Sequence, residues 1–193
     1  MPVKNNKLFE ASLNCIRISD PYEKATATRS LHQRWCANEI ITETSGKPVR
    51  IPSPGRPSRP QLVNPRKVPK RGFNSRQGLN KLAHAIAHIE FNAINLALDA
   101  VYRFQNMPEQ FYSDWLRVAA EEASHFLMLE QYLNDNEACY GDYDAHNGLW
   151  EMALKTDHDV MVRMALVPRV LEARGLDVTP GMIARLKTCL LYT

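Results

Sequence analysis

The chain has 193 residues, of which 45% are hydrophobic, so it is long enough to bury the core of one domain. No run of about 18 apolar residues occurs, which argues against a transmembrane helix, and the first residues lack the apolar segment of a signal peptide. The four cysteines are scattered and form no C-x-x-C pair, so we expect free thiols in the cytoplasm. The net charge of +3 is too small to indicate a partner by itself.

The first 77 residues divide into two segments of different composition. Residues 1–46 carry a helical apolar period that Asp20-Pro21 should break into two helices. Residues 47–77 form a basic arm, in which residues 47–76 contain seven prolines, nine Lys or Arg and no acid. So many prolines exclude a regular helix or a central strand. We favour a strap along the surface over a contact with an anion such as RNA, because Phe73 is the only aromatic residue available for stacking.

Residues 78–193 are predicted to form a helical bundle, which opens with two long helices at about 79–104 and 109–133. The short turn between them makes these helices antiparallel neighbours, with Pro108 near the start of the second. Steps of three and four residues predict one buried stripe on each helix. The first stripe comprises Leu82, Ile86, Ile89, Ala93, Ala97, Val101 and Phe104, and the second comprises Phe111, Trp115, Val118, Phe126, Leu129 and Leu133.

Three polar residues lie inside these stripes. Glu90 lies in the first stripe, and Glu122 and His125 lie in the second with the spacing E-x-x-H, which puts both on one helix face. Glu90 precedes Met107, in the turn, by 17 residues, while Glu122 and His125 follow it by 15 and 18. Antiparallel packing therefore brings all three to the same level, where two carboxylates and an imidazole would suit Fe or Mn. The alternative is a satisfied Glu–His pair without metal.

A third helix is predicted from about Leu149 to Arg174, kinked at Pro168, with a fourth beginning at Met182. Glu172 can face the core and is the preferred fourth metal ligand, over Glu151 near the helix start, where the helix dipole favours an acid anyway. The remaining histidines are read mainly as hydrogen-bonding groups. His84 and His88 are placed beside the buried stripe, and His146 and His158 in a loop and a helix.

Four segments of the chain together resemble the DUF455 family: AHIEFNAINLALDAVYRF, FYSDWLRVAAEEASHF, YGDYDAHNGLWEMA and RMALVPRVLEARGLDVTPGM. This is an uncharacterised ferritin-like family, distantly similar to the di-iron tRNA hydroxylases. The resemblance implies a four-helix core with two iron ions, held by a Glu on helix one, E-x-x-H on helix two, a Glu on helix three and a second E-x-x-H on helix four. Glu90, Glu122, His125 and Glu172 match that set.

The second E-x-x-H does not occur after Glu172, and the closing residues KTCLLYT do not resemble the family. We therefore expect an all-α, ferritin-like bundle with extra N-terminal helices, whose last helix is mostly missing and which is inactive as given. The full-length protein would be an O₂-activating oxidase or hydroxylase containing Fe, with Mn as an alternative metal. Its substrate would be a small molecule or RNA, and a homodimer is one possible assembly. The alternative functions are a non-catalytic metal-binding or structural bundle and an RNA-associated modification enzyme.

Overall fold

The computed structural model of the protein describes residues 6–43, 46–68 and 75–167. Within these ranges the chain forms six α-helices and no β-strand, so the predicted all-α fold class is confirmed. The helices are α1 (Leu8–Arg17), α2 (Pro21–Cys36), α3 (Arg76–Arg103), α4 (Glu109–Asp135), α5 (Gly148–Lys155) and α6 (Val160–Leu166), with a 3₁₀ turn at Pro65–Lys67. The division of the chain into residues 1–46, 47–77 and 78–193 stays a prediction.

Short polar side chains set the starts of α2 and α3. The Asp20 carboxylate accepts a hydrogen bond from the backbone N–H of Glu23 (2.8 Å), and Pro21 follows it as the first residue of α2, so the predicted break at this dipeptide is confirmed. The Ser75 hydroxyl accepts from Gly78 N–H (3.1 Å) at the start of α3. Each cap satisfies a backbone donor that the first helical turn cannot pair.

Helices α3 and α4 form the predicted antiparallel hairpin. Its turn is held by Tyr112, whose hydroxyl accepts a hydrogen bond from Met107 N–H (3.0 Å) and donates one to the Phe104 carbonyl (3.1 Å). The turn also contains Asn106 at φ +65°, a left-handed conformation that Asn tolerates better than most residues. This turn sets the axial register between the two helices.

Helices α1 and α2 cover one face of this hairpin and share its hydrophobic core. Leu8, Phe9 and Ile16 of α1 are fully buried beside Ile94 and Leu98 of α3. The fully buried Lys24 of α2 joins the helices, because its ammonium donates to the carbonyls of Cys15 (3.0 Å) and Ile16 (2.6 Å) and to Asn95 Oδ1 (2.8 Å). One buried polar side chain thus ties the end of α1 to the middle of α3.

The described part of the arm, residues 46–68 and here called the strap, lies extended across the bundle. Gly55 N–H donates to the Ile16 carbonyl (2.8 Å), and Val63 N–H donates to the Ala145 carbonyl (2.8 Å). The indole of the buried Trp150 in α5 donates to the carbonyls of Ile51 (3.3 Å) and Pro52 (3.2 Å). The structure therefore agrees with the favoured interpretation of this segment as a surface strap.

The single third helix predicted from about Leu149 is wrong over the described residues. Helix α5 ends at Lys155, and α6 begins at Val160 behind the cap Asp159, whose carboxylate accepts from Val162 N–H (2.9 Å). The side-chain hydroxyl of Thr156 bonds back to the carbonyl of Met152 (2.8 Å) at this break. Pro168, the predicted kink, and the predicted fourth helix lie outside the described residues.

The buried face of α3 also differs from the predicted stripe. Ile89, a member of that stripe, is 44% exposed, whereas Ala87, Phe91 and Ile94 are at most 2% exposed. Helix α3 is apolar on two faces, and α1 and α2 cover only one of them. The face that carries Glu90 is only partly covered by the residues that the structure describes.

Candidate metal centre

The structure brings Glu90, Glu122 and His125 together at the middle of the hairpin. Each side chain offers one ligand atom, and these atoms all lie within 4.8 Å of one another. The Nδ1 atom of His125 lies 3.6 Å from Glu122 Oε2 and 4.0 Å from Glu90 Oε2. Among the described residues, these three form the one group of at least three His, Cys, Asp or Glu side chains that could hold an ion.

The two long helices position this group on a rigid apolar base. Phe91 and Phe126, the residues that follow Glu90 and His125, are buried, and their rings pack 5.9 Å apart between the helices. Their packing holds the helices at the level of the three polar side chains, which project to the partly covered side. The axial register that we predicted from residue counts is therefore the one that the structure shows.

Burial and charge make Glu90 an unusual carboxyl group. Its side chain is 18% exposed, and desolvation raises its pKa to about 9, with further increases from a hydrogen bond and from charge repulsion by Glu122. Two carboxylates this close cannot both ionise without a cation or a shared proton. A divalent cation at this position would neutralise both, which makes the pair a natural cation site.

The set of donors fits one ion of iron or manganese. Carboxylate oxygens and an imidazole nitrogen suit these metals, and three protein ligands leave coordination positions open. A two-ion centre in a four-helix bundle takes a further Glu and a second Glu-x-x-His from two other helices. Of the predicted fourth ligands, Glu172 lies outside the described residues, and Glu151 is exposed in the first turn of α5, apart from the group.

Sequence reasoning placed His84 and His88 beside the buried stripe, but they are 1% and 9% exposed. The Tyr140 hydroxyl donates to His88 Nδ1 (2.9 Å), while Nε2 of His88 donates to the His146 carbonyl (3.1 Å). The Nε2 atom of His84 accepts a hydrogen bond from Gly141 N–H (3.0 Å). Burial lowers the pKa of both histidines to about 4. They are neutral hydrogen-bonding groups of the core. The predicted hydrogen-bonding role agrees with the structure, but their burial was not predicted.

The burial of His88 was missed because the arm supplies part of its cover, whereas His84 is covered by Tyr140 and Tyr143, which follow α4. Pro54, Pro60 and Leu62 of the strap form one small cleft with His88 and Tyr140. The strap is distant in sequence and carries no periodic pattern that would indicate which helix face it covers. The i, i+4 spacing of His84 and His88 was a usable signal that they share one helix face.

Comparison with other proteins identifies the family. The chain matches the family described as "Protein of unknown function (DUF455)" over residues 17–189. An uncharacterized protein of Haemophilus influenzae is 46% identical over 175 residues, which cover 86% of this chain and 61% of that relative. The chain thus spans less than two thirds of the relative's length. No solved structure matches it. Among the described residues, no helix has the length and hydropathy needed to cross a bilayer. The match over nearly the whole chain confirms the resemblance seen in the sequence, and the chain belongs to the DUF455 family.

Proposed function

We propose that this protein is a ferritin-like carboxylate metalloprotein that binds iron, or manganese, between α3 and α4. The observation that carries the proposal is the convergence of Glu90, Glu122 and His125, whose ligand atoms lie within 4.8 Å of one another. A satisfied Glu–His pair requires one carboxylate, whereas a second, largely buried carboxylate beside it can stay ionised only with a cation and otherwise takes up a proton. The raised pKa of Glu90 reflects that cost.

We further propose that the full-length protein uses this centre to activate O₂ as an oxidase or hydroxylase. Bound iron would supply the redox chemistry. Phe91 and Phe126 exclude water from the inner side of the site, and the imidazole of His125 is 50% exposed on the outer side. The negative charge of Glu90 and Glu122 would bind the cation. A substrate would reach the site from its exposed outer side.

Metal binding is tested by anaerobic dialysis of the purified chain against Fe(II), with metal content measured per chain. We expect up to one tightly bound ion and a loss of affinity of at least about tenfold in Glu122→Gln, because a ligand carboxylate is removed. The matched control is Glu121→Gln, one residue away on the exposed side of α4, which should bind like the parent chain. Equal binding by the two variants would reject the site.

Catalysis is tested separately on a full-length family member that contains the same three residues. Oxygen consumption by the Fe(II)-loaded protein should exceed that of the Glu122→Gln variant. A protein that binds iron stoichiometrically and consumes no oxygen above the free ion would be a binding protein, and the oxidase proposal would then be withdrawn while the metal site stands.

The strap favours RNA as a second candidate partner. Its Arg56, Arg59, Arg66 and Lys67 are exposed, and residues 46–68 contain no acid. Backbone hydrogen bonds hold the strap on the bundle and so present these cations in a fixed arrangement. Affinity for tRNA should fall steeply with salt and drop on changing Arg66 and Lys67 to Ala. A matched change of Arg117 to Ala, on α4, should leave it unaltered; equal effects of the two changes would reject a specific role for the strap.

A further inference from the structure

A groove of about 860 Å³ runs between the end of α2 and the start of α4, and none of the three candidate metal ligands lines it. His32, Trp35 and Cys36 line one wall, and Glu109 and Asp114 line the other. The indole of Trp35 donates a hydrogen bond to the Ser113 hydroxyl (3.0 Å), which ties the two walls together beside the groove.

The wall formed by α2 carries a thiol beside a base. Cys36 Sγ lies 3.4 Å from His32 Nε2, one helical turn earlier, and Cys36 is exposed to solvent. No third metal ligand joins the two side chains among the described residues, so the pair is not a formed metal site. The pair instead provides a nucleophile in hydrogen-bonding contact with a proton acceptor, which is the arrangement that activates a thiol.

The other described cysteines lack this arrangement. Cys15 is buried, and desolvation raises the pKa of its thiol to about 11, so it is protonated and inaccessible. Cys139 is exposed like Cys36, but among the described residues no imidazole contacts its sulfur, and the Asp142 carboxylate accepts its backbone N–H (2.7 Å). Cys139 therefore serves as the control for an exposed thiol without a base, and Cys15 serves as the control for a buried thiol.

His32 is the base available to Cys36. Cys36 is the last residue of α2 and lines the groove, and the imidazole of His32 is in contact with its sulfur. His32 is therefore the group that can accept the thiol proton. The facing wall carries Glu109 and Asp114 together with Arg117, which pairs with Asp114 (3.5 Å), so the charges there partly cancel and the groove suits a small uncharged reagent.

We propose that Cys36 is a peroxide-reactive thiol and that His32 is its proton acceptor. The thiol proton moves to Nε2 of His32 as the sulfur attacks one oxygen of hydrogen peroxide. An S–O bond forms, the O–O bond breaks, and the leaving hydroxide takes the proton back from the imidazole to give water. Sulfur is oxidised by two electrons to the sulfenic acid, and the peroxide is reduced by the same two electrons.

The test compares the cysteines within one sample. The purified chain is exposed to hydrogen peroxide in the presence of dimedone, which traps sulfenic acids, and the adducts at each cysteine are quantified over time by peptide mass spectrometry. Cys36 should be labelled at least about tenfold faster than Cys139, because proton transfer to a positioned base accelerates a reaction by more than that, and the buried Cys15 should remain unlabelled in the folded chain.

The role of His32 is tested with His32→Gln, which keeps a polar side chain of similar size. Labelling of Cys36 should fall to the rate of Cys139, while Cys139 keeps its rate and the buried Cys15 stays unlabelled, which shows that the fold is intact. Equal labelling of Cys36 and Cys139 in the parent chain would overturn the proposal. Fast labelling of Cys36 that persists in His32→Gln would overturn the assignment of the base. Neither readout depends on the metal centre.

Discussion

The buried carboxylate of Asp99 should be a main determinant of the stability of this chain. It is 1% exposed on α3 and accepts hydrogen bonds from Arg103 at 2.8 and 3.1 Å and from Arg163 of α6 at 2.8 Å. Arg163 is 2% exposed and also donates to Thr156 Oγ1 (2.6 Å) and the Ala153 carbonyl (2.8 Å). One carboxylate thus holds two cations and joins the α5–α6 region to the hairpin.

Changing Asp99 to Asn keeps the shape of the side chain and removes its charge. Two buried guanidinium groups then lose their counter-charge, and one faces an amide N–H₂ in place of an acceptor. Removing one partner of a buried ion pair costs about 3 to 5 kcal/mol, because the remaining charge is desolvated and unpaired. We therefore expect the free energy of unfolding to fall by about that amount in Asp99→Asn.

The assay is urea denaturation followed by tryptophan fluorescence and circular dichroism. The matched control is Asp114→Asn, which breaks the Asp114–Arg117 pair on α4, whose partners are 50% and 60% exposed at 3.5 Å. Solvent screens that pair, so its loss should cost less than about 1 kcal/mol. If Asp99→Asn costs no more than the control, the carboxylate does not hold α6 as described here.

Three further predictions concern the interior and the strap. Burial lowers the pKa of Lys24 to about 7 from 10.5, so the unfolded chain binds its proton more tightly and this residue should make stability rise with pH, by roughly 2 to 3 kcal/mol between pH 7 and 9. Glu90, whose pKa is raised to about 9, acts in the opposite direction over the same range, and Cys15 does so only above its ordinary value of 9. The contribution of Lys24 is therefore measured as the difference in the free energy of unfolding between the parent chain and Lys24→Met, which should grow by that amount from pH 7 to 9; a constant difference would contradict the prediction. In Gly55→Ala the added methyl would overlap the backbone of Arg17, so the strap must shift and we expect a loss of at least about 1 kcal/mol, whereas Ser58→Ala at an exposed strap position should change little. Trp150→Phe removes the indole donor to the strap carbonyls, which should cost about 1 to 3 kcal/mol and increase protease cleavage within residues 46–68; unchanged cleavage would contradict the proposed anchoring.

The amino-acid sequence by itself determined the features that depend on local chemistry. The Asp20-Pro21 dipeptide set the start of α2, and apolar periodicity set the extents of α3 and α4 within about three residues. Because the rise per residue in a helix is constant, counting from the turn placed Glu90 level with Glu122 and His125, and the structure shows them together. The proline content of the arm likewise excluded regular structure for a local reason, the missing N–H and restricted φ of proline.

Only the tertiary structure decided which faces of these helices are covered. Ile89 fits the periodic stripe yet is 44% exposed, because the described helices pack on the opposite face of α3. Periodicity identifies an apolar face and does not show which element packs against it. For a helix that is apolar on two faces, the sequence therefore does not show which face is buried.

The burial of polar and charged side chains also could not be predicted without the tertiary structure. Lys24 is fully buried because Asn95, 71 positions later, and two carbonyls at the end of α1 accept its three donors. Asp99 is buried because Arg163, 64 positions later, pairs with it. Burying a charge is favourable only when partners are already in place, and those partners come from separate elements. Local periodicity therefore determined the helices and the level of the three candidate metal ligands, whereas contacts between distant residues decided which charged side chains could enter the core.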